Sequence, residues 1–403
     1  MALKLLMPQK ETDWAQLEQA HRSAFDTLHD RCRRWFVPYR LRPLGAHLDH
    51  QLGKVASIAS DFGIAFIYSP NATQVIRIRS EGFEGILKVF PQSVDEPHGD
   101  WGDYLRGALK YIGYPETADG LDISISGILG EVGLSSSAAV TLGYLSILNS
   151  HVGLMMTIEE QMACAQRVEN EFLGVQSGIG DQSAIGYAKQ KSLIEYDCRT
   201  AEVKQHRAGA DFQFLVVYSG YRQALTEDRK FNDRVSECLS AARDLAIALG
   251  QSVAPQGSSV LGDFSAAAFD QVQAKLSDLS RRRARHFYEE MARIDEGCQA
   301  WQAGHLARFG QLITESGISS EKNYETGTEA LVSLSAFLVT LSGVFGARFS
   351  GAGSRGCVLA LIDPGALSGL LSALSVYFDT LETSPPESPW AFVTGSGPGA
   401  RMP

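Results

Sequence analysis

Three glycine- and serine-rich segments, far apart along 403 residues and in a fixed order, constrain this chain more than any other feature. The first is Pro38-Tyr39-Arg40-Leu41-Arg42-Pro43-Leu44-Gly45-Ala46-His47-Leu48-Asp49-His50. The second is Gly133-Leu134-Ser135-Ser136-Ser137-Ala138-Ala139, and the third is Gly346-Ala347-Arg348-Phe349-Ser350-Gly351-Ala352-Gly353. Singly they are weak evidence; their order and spacing carry the weight.

The length suits two or three domains. With 44% hydrophobic and 20% charged residues, the composition is that of an ordinary globular protein. A net charge of −10 argues against a nucleic-acid scaffold, which needs a basic face. The basic run Arg281-Arg282-Arg283-Ala284-Arg285-His286 precedes Glu289-Glu290 and reads as a solvated helix face. Six scattered cysteines without a CxxC pair read as reduced, mostly buried thiols, neither a disulfide framework nor a zinc site. No run approaches the ~18 apolar residues of a membrane span, and the N-terminus lacks the apolar core of a secretory signal. The expectation is a cytoplasmic protein with no nucleic-acid or membrane partner, a monomer or weak homodimer.

Apolar spacing predicts an amphipathic helix over 13–34, from Trp14 through Leu28. Short strands are expected at Ser57-Ile58-Ala59, Gly63 to Tyr68, Gln74 to Arg79 and Asp122 to Gly127. Helices are expected from Trp101 to about Tyr111, from Ser135 to Leu148 with serines capping its start, and from Thr157 to Phe172. Phe214 to Tyr218 reads as a buried strand. Residues 227–345 read as helical, broken at Gly250–Gly257, Gly304 and Gly317. Ser342 to Leu361 reads as strand, glycine turn, strand, followed by a helix to Phe378. The Pro/Gly/Ser-rich segment 385–403 is expected to be partly mobile. The fold class is α+β in two lobes, 1–205 and 206–403, with a soft boundary near 200–210.

Gly133-Leu134-Ser135-Ser136-Ser137 before a helix suits phosphate. Gly133 admits an anion, free amides at the helix start point at it, and the helix dipole adds attraction. The hydroxyls can donate to phosphate oxygens or coordinate Mg²⁺. The alternative is a serine cap with no ligand. The segment is neither a Walker A loop nor a Rossmann fingerprint. Ser177-Gly178-Ile179-Gly180-Asp181 sets a carboxylate in a glycine-flanked turn, which by itself suits a structural helix cap.

The three segments together resemble the signatures of the GHMP small-molecule kinases, and within them the galactokinase branch, over about residues 36–362. That resemblance implies an N-terminal lobe like ribosomal protein S5 domain 2, a ferredoxin-like C-terminal lobe, and an active site between them. It makes Asp181 the carboxylate facing the phosphorylated hydroxyl and Arg40 its partner. Ser137 and Glu169 become the Mg²⁺ ligands. Gly133, Leu134, Ser135, Ser136, Ser137 and Ala138 become the ATP loop, with Trp101 and Tyr104 packed near the nucleotide. His47, Asp49, Gly178, Arg222 and Phe231 become sugar contacts, Phe231 standing where the family has a tyrosine, with Tyr221 able to compensate. Glu131-Val132 replace the two glycines that often precede the loop.

Ala46 stands where galactokinases carry a glutamate for the sugar 6-hydroxyl. A sugar acid has a carboxylate there, and a protein carboxylate ~5 Å away would cost about 3 kcal/mol at an effective dielectric near 20. Ala46 alone also suits a 6-deoxy sugar or a pentose. The wider pattern, including Ser219 to Thr226 and Asn323-Tyr324-Glu325, resembles plant-type galacturonokinases. The implied activity is ATP-dependent, Mg²⁺-assisted 1-phosphorylation of galacturonate. The rivals are galactokinase, glucuronokinase, or a sugar-sensing regulator without turnover, which ADP release with a sugar panel would separate.

Overall fold

The computed structural model describes residues 3–8, 11–115, 117–128, 132–221, 230–251, 259–354, 356–397 and 399–400. Among these, twelve strands form two sheets. β1 (Lys4–Leu5) opens the chain and α1 (Glu11–Phe25) follows. β2 (Arg33–Leu44), β3 (Lys54–Asn71), β4 (Ile76–Ser80), β5 (Phe83–Val89), β6 (Gly120–Ser126), β7 (Ser192–Asp197) and β8 (Val203–Arg207) make the first sheet. Its order is β5-β4-β6-β3-β7-β8, with β2 also paired to β3. Against it lie α2 (Asp103–Ile112), α3 (Ser136–Val152), α4 (Ile158–Arg167) and α5 (Gly180–Gly186). α3 is buried almost all round, as its apolar composition requires.

β9 (Gln213–Tyr218) begins the second sheet, and a helical block separates it from β10 (Val344–Phe349). The block comprises α6 (Lys230–Ala248), α7 (Ala266–Val272), α8 (Asp278–Gln302), α9 (Leu306–Lys322) and α10 (Glu329–Val339). β11 (Cys357–Ile362), α11 (Leu367–Asp379) and β12 (Trp390–Thr394) complete it. The order β12-β9-β11-β10, antiparallel throughout, is ferredoxin-like, and β1 adds in parallel at the β12 edge. Thus the first residues of the chain join the second sheet, and β8 carries the first sheet to Arg207. One apolar core runs through both lobes, and a second fills the space between the outer sheet face and α10–α11.

Several sequence expectations need correction. The first helix stops at Phe25, because Asp26 turns left-handed at φ 53° and Leu28 is solvent-exposed. The two short runs at 57–59 and 63–68 belong to one long strand, β3, which gains its length by pairing with β2, β6 and β7. Gly317 lies inside α9 and does not break it. A Cβ there would sit 2.9 Å from the Cβ of Arg348, so the glycine lets α9 lie flat on β10. Segment 385–403 contains β12, whose Ala391 and Phe392 are fully buried.

The basic run is on a helix, as expected, but is not solvated. Arg283 is completely buried and pairs with Glu237 at 2.7 Å and Glu325 at 2.5 Å, the pairing a buried guanidinium demands. All six cysteines are free, and four are buried. One of them, Cys298, meets Glu195 and His206 with ligand atoms within 4.8 Å. Glu195 already accepts from His206 Nε2 at 2.7 Å and has Lys54 Nζ at 3.4 Å. Lys54 and the His206 N–H satisfy it, so the cluster clasps α8 to the first sheet. No described helix is long and apolar enough to cross a membrane.

Two buried histidines make the fold acid-sensitive. His21 sits between Ser124 and Ser69, each at 2.9 Å, and burial lowers its pKa to about 4. Burial likewise lowers His286 to about 4. Both are neutral when folded and titrate near 6.5 when unfolded, so their contribution is complete above 6.5 and declines as pH falls toward 4. At pH 5 each should have cost about 2 kcal/mol. Thermal melts from pH 7.5 to 4.5 should show falling stability. The slope should flatten in His21→Gln, which keeps hydrogen-bonding capacity without titrating; an unchanged slope would assign the loss to other groups.

Candidate active site

The functional segments converge on one open cleft between the lobes. β2 supplies two arginines on the face turned away from the core. Tyr39 and Leu41 are buried in the apolar interior, while Arg40 and Arg42 alternate with them and line the cleft. Register shifts between Pro38 and Arg40 and between Leu41 and Leu44 re-aim this stretch, as β-bulges beside active sites do.

Arg40 grips Asp181 with two bonds, Nε to Oδ1 at 2.6 Å and Nη2 to Oδ2 at 2.9 Å. Arg42 adds Nη2 to Oδ1 at 2.6 Å and reaches Asp49 at 3.3 Å. Ser135 Oγ donates to Asp181 Oδ2. Burial pushes the Asp181 carboxyl up, but Arg40 and Arg42 more than reverse it and hold the group well below the usual carboxylate range. Arg40 Nη1 also donates to the Gly133 carbonyl at 3.2 Å and to Ser350 Oγ at 3.4 Å. The second and third segments touch directly: a Cβ on Gly133 would meet the Ser350 carbonyl oxygen at 2.7 Å.

Ser136 and Ser137 start α3, and Ser135 precedes it. The expected serine cap is not made. Ser135 has no capping bond and sits left-handed at φ 57°, its hydroxyl turned to Asp181. After α4 the chain forms one π turn, Val168–Phe172, a distortion common at functional sites. The turn carries Glu169 into the cleft. Glu169 accepts from Ser177 at 2.5 Å and Gln182 at 3.2 Å, and makes no ion pair among the described residues. Burial, then the Asp181 charge, raises its pKa.

At the other end, Gly45 N donates to Glu290 Oε1 at 2.8 Å, and His286 Nε2 donates to the Ala46 carbonyl at 3.0 Å. His47, also left-handed at φ 63°, stacks on Tyr324 with centroids 4.1 Å apart. Burial and the surrounding His286, Arg348 and Arg42 hold its pKa well below the ordinary histidine value, so it is neutral. Arg348 is buried, donates to Ser316, to Ser320 at 3.0 Å and to the Phe349 carbonyl at 3.0 Å, and keeps Glu290 at 3.9 Å.

Of the residues singled out from sequence, Arg40, Ala46, His47, Asp49, Gly133, Ser135, Ser136, Ser137, Glu169, Gly178, Asp181 and Phe231 line this cleft. Leu134 and Ala138 are buried behind the serine loop. Trp101 is not in the lining; it stacks on Phe83 at 5.0 Å. Arg222 and Glu131 lie outside the described residues. Phe231 packs edge-on to His50, and the phenol of this region is Tyr324, whose hydroxyl meets His50 at 3.0 Å; Tyr221 is not in the lining. Of the Trp101 and Tyr104 pair, Tyr104 does line the cleft. Sequence reading passed over Leu173 and Val175, apolar residues that carry no signal of a site.

The match to known proteins follows this geometry. Residues 103–189 match the GHMP kinases N terminal domain. The chain is 36% identical to the galacturonokinase of Arabidopsis thaliana over 383 residues, 87% of each protein. It is 32% identical to a galactokinase of Staphylococcus saprophyticus, covering 92% of this chain and 96% of that one. The crystal structure of Lactococcus lactis galactokinase complexed with galactose superposes with TM-score 0.87 at 27% identity, over 97% of this chain and all of that one. The chain therefore belongs to the GHMP kinase family. Within it, it is a sugar kinase, a phosphotransferase of the galacturonokinase and galactokinase kind.

Gly178 gives a direct geometric test. A Cβ there would fall 2.5 Å from both Cβ and Cγ of Asp49. Gly178→Ala should displace Asp49 from Arg42 and raise the sugar KM about tenfold, roughly the worth of one charge-assisted hydrogen bond, with the ATP KM little changed. An unaltered sugar KM would show that Asp49 does not contact the sugar.

Proposed function

We propose that the protein transfers the γ-phosphoryl group of ATP to the anomeric hydroxyl of D-galacturonate, giving galacturonate 1-phosphate. The observation that carries this reading is Ala46 lining a cleft that also holds Arg40, Arg42 and Arg348. Asp49 and Asp181 oppose Arg40 and Arg42, and Glu290 lies 3.9 Å from Arg348, so the absence of a carboxylate at position 46 spares a substrate carboxylate one further like charge. A buried donor, Arg42 Nε, also has no protein partner among the described residues.

In this reading the amides at the start of α3 and the serine hydroxyls hold the triphosphate. His47 and Asp49 orient the sugar, and Arg40 offsets charge on the migrating phosphoryl group. Asp181 accepts the hydroxyl proton. Held so acidic, it is a weak base, which suits a loose phosphoryl-transfer transition state in which the proton leaves late. Glu169, a buried carboxylate without an ion pair, and the Ser137 hydroxyl are oxygen donors lining the same cleft, and they fit a hard cation such as Mg²⁺. When bound there, it would neutralise charge on the phosphate oxygens.

Asp181→Asn should lower turnover by ~10² or more with ATP affinity little changed, the usual worth of general-base catalysis. Near-normal activity in a folded variant would sink the assignment. Ser137→Ala and Glu169→Gln should each raise the Mg²⁺ requirement; unchanged dependence in both would misplace the metal. The similarity to galactokinases favours galactose as the second reading, and Ala46→Glu separates the two. Like-charge repulsion should depress kcat/KM for galacturonate by ~10², while galactose is tolerated or improved. A wild-type preference for galactose would overturn the sugar-acid reading and leave the sugar kinase intact.

A further inference from the structure

Ser135 has an odd set of properties for the first serine of a phosphate loop. Its backbone is left-handed, a strained conformation for a residue with a side chain, and it makes no capping bond to α3. Its hydroxyl goes to Asp181 Oδ2 instead. An ionised carboxylate offers about four lone-pair positions. On Asp181 these are filled by Arg40 Nε, Arg42 Nη2, Arg40 Nη2 and Ser135 Oγ. A sugar hydroxyl can therefore bond to this carboxylate only if one of the four donors leaves.

The four are not equally free to go. Arg40 is held elsewhere by the Gly133 carbonyl and Ser350, and Arg42 by Asp49. Moving either guanidinium would separate a buried charge pair. Ser135 is neutral, turns about a single bond, and stands at the N-terminus of α3, where phosphate oxygens are favoured. It alone can exchange one anionic acceptor for another without leaving a charge behind.

We infer that Ser135 is a positioning residue that couples the two substrates: it occupies Asp181 until a nucleotide phosphate takes its hydroxyl, which opens one carboxylate oxygen to the sugar. The inference rests on the placement of the nucleotide at the serine loop and of the sugar at Asp181 proposed above. Nucleotide should tighten sugar binding, and by linkage sugar should tighten nucleotide binding by the same factor.

The test is calorimetric. The dissociation constants of galacturonate and of galactose are measured with and without a saturating, non-hydrolysable ATP analogue and Mg²⁺. Wild type should bind its sugar about tenfold tighter with the analogue, within the usual range of coupling between sites. In Ser135→Gly, which tolerates the left-handed backbone, and in Ser135→Ala, the ratio should fall below about twofold. The sugar should then bind the protein alone nearly as tightly as it binds the wild-type nucleotide complex. A wild type without coupling, or variants that keep it, overturns the inference. If instead Asp181→Asn leaves turnover intact, the active-site reading itself has failed.

Discussion

The Arg40 guanidinium is where three distant segments become one site. It stands on the first segment, donates to the Gly133 carbonyl of the second and the Ser350 hydroxyl of the third, and holds Asp181 with two bonds. With only 5% of its side chain exposed, it must be paired: removing one partner of a buried ion pair costs about 3–5 kcal/mol. The contact that joins the lobes at the cleft therefore also fixes the orientation and acidity of Asp181. A looser Arg40 would loosen both, and neither can be tuned without the other.

In the mechanism proposed above, that coupling makes so weak a base acceptable. Asp181 is surrounded by the groups that make it a poor proton acceptor, and these same groups fix its oxygens to within a bond's tolerance. Phosphoryl transfer gains most from alignment and charge neutralisation. A site assembled from guanidiniums, helix-start amides and one clamped carboxylate supplies both. The histidines fit the same logic: burial keeps His47, in the cleft lining, and His50, bonded behind it to Tyr324 and Gln51, neutral, so neither adds a charge to those of the arginines.

The serine loop was legible in its own residues, because a glycine before a serine run at a helix start can do few things. Arg40, Asp49, Glu169 and Asp181 were singled out through the family resemblance, and with Ser137 they all reach one cleft. What was hidden depends on partners far away in the chain. β12 is five residues in a Pro/Gly/Ser-rich stretch, and its order comes from pairing with β9 and β1. Arg283 looks like a surface charge until Glu237 and Glu325 arrive from other elements to bury it. The π turn that carries Glu169 inward follows an unremarkable amphipathic helix, and no residue in it announces the extra hydrogen-bond step.

The backing of Ala46 shows how one position can set specificity without moving the site. Its carbonyl accepts from His286, and the preceding amide donates to Glu290, both on α8 and both buried. Since a carbonyl can only accept, His286 Nε2 must carry the proton, and its Nδ1 then accepts from Ser319 at 3.0 Å. Glu290 is in turn held by Arg293 at 2.7 Å and by Ser316. The backbone at 45–46 is thus fixed from behind by a fully satisfied polar cluster, independent of the side chain at 46. A methyl group or a carboxylate can face the cleft from the same backbone. Hence the charge presented to the sugar can change while Arg40, His47 and Asp49 keep their places.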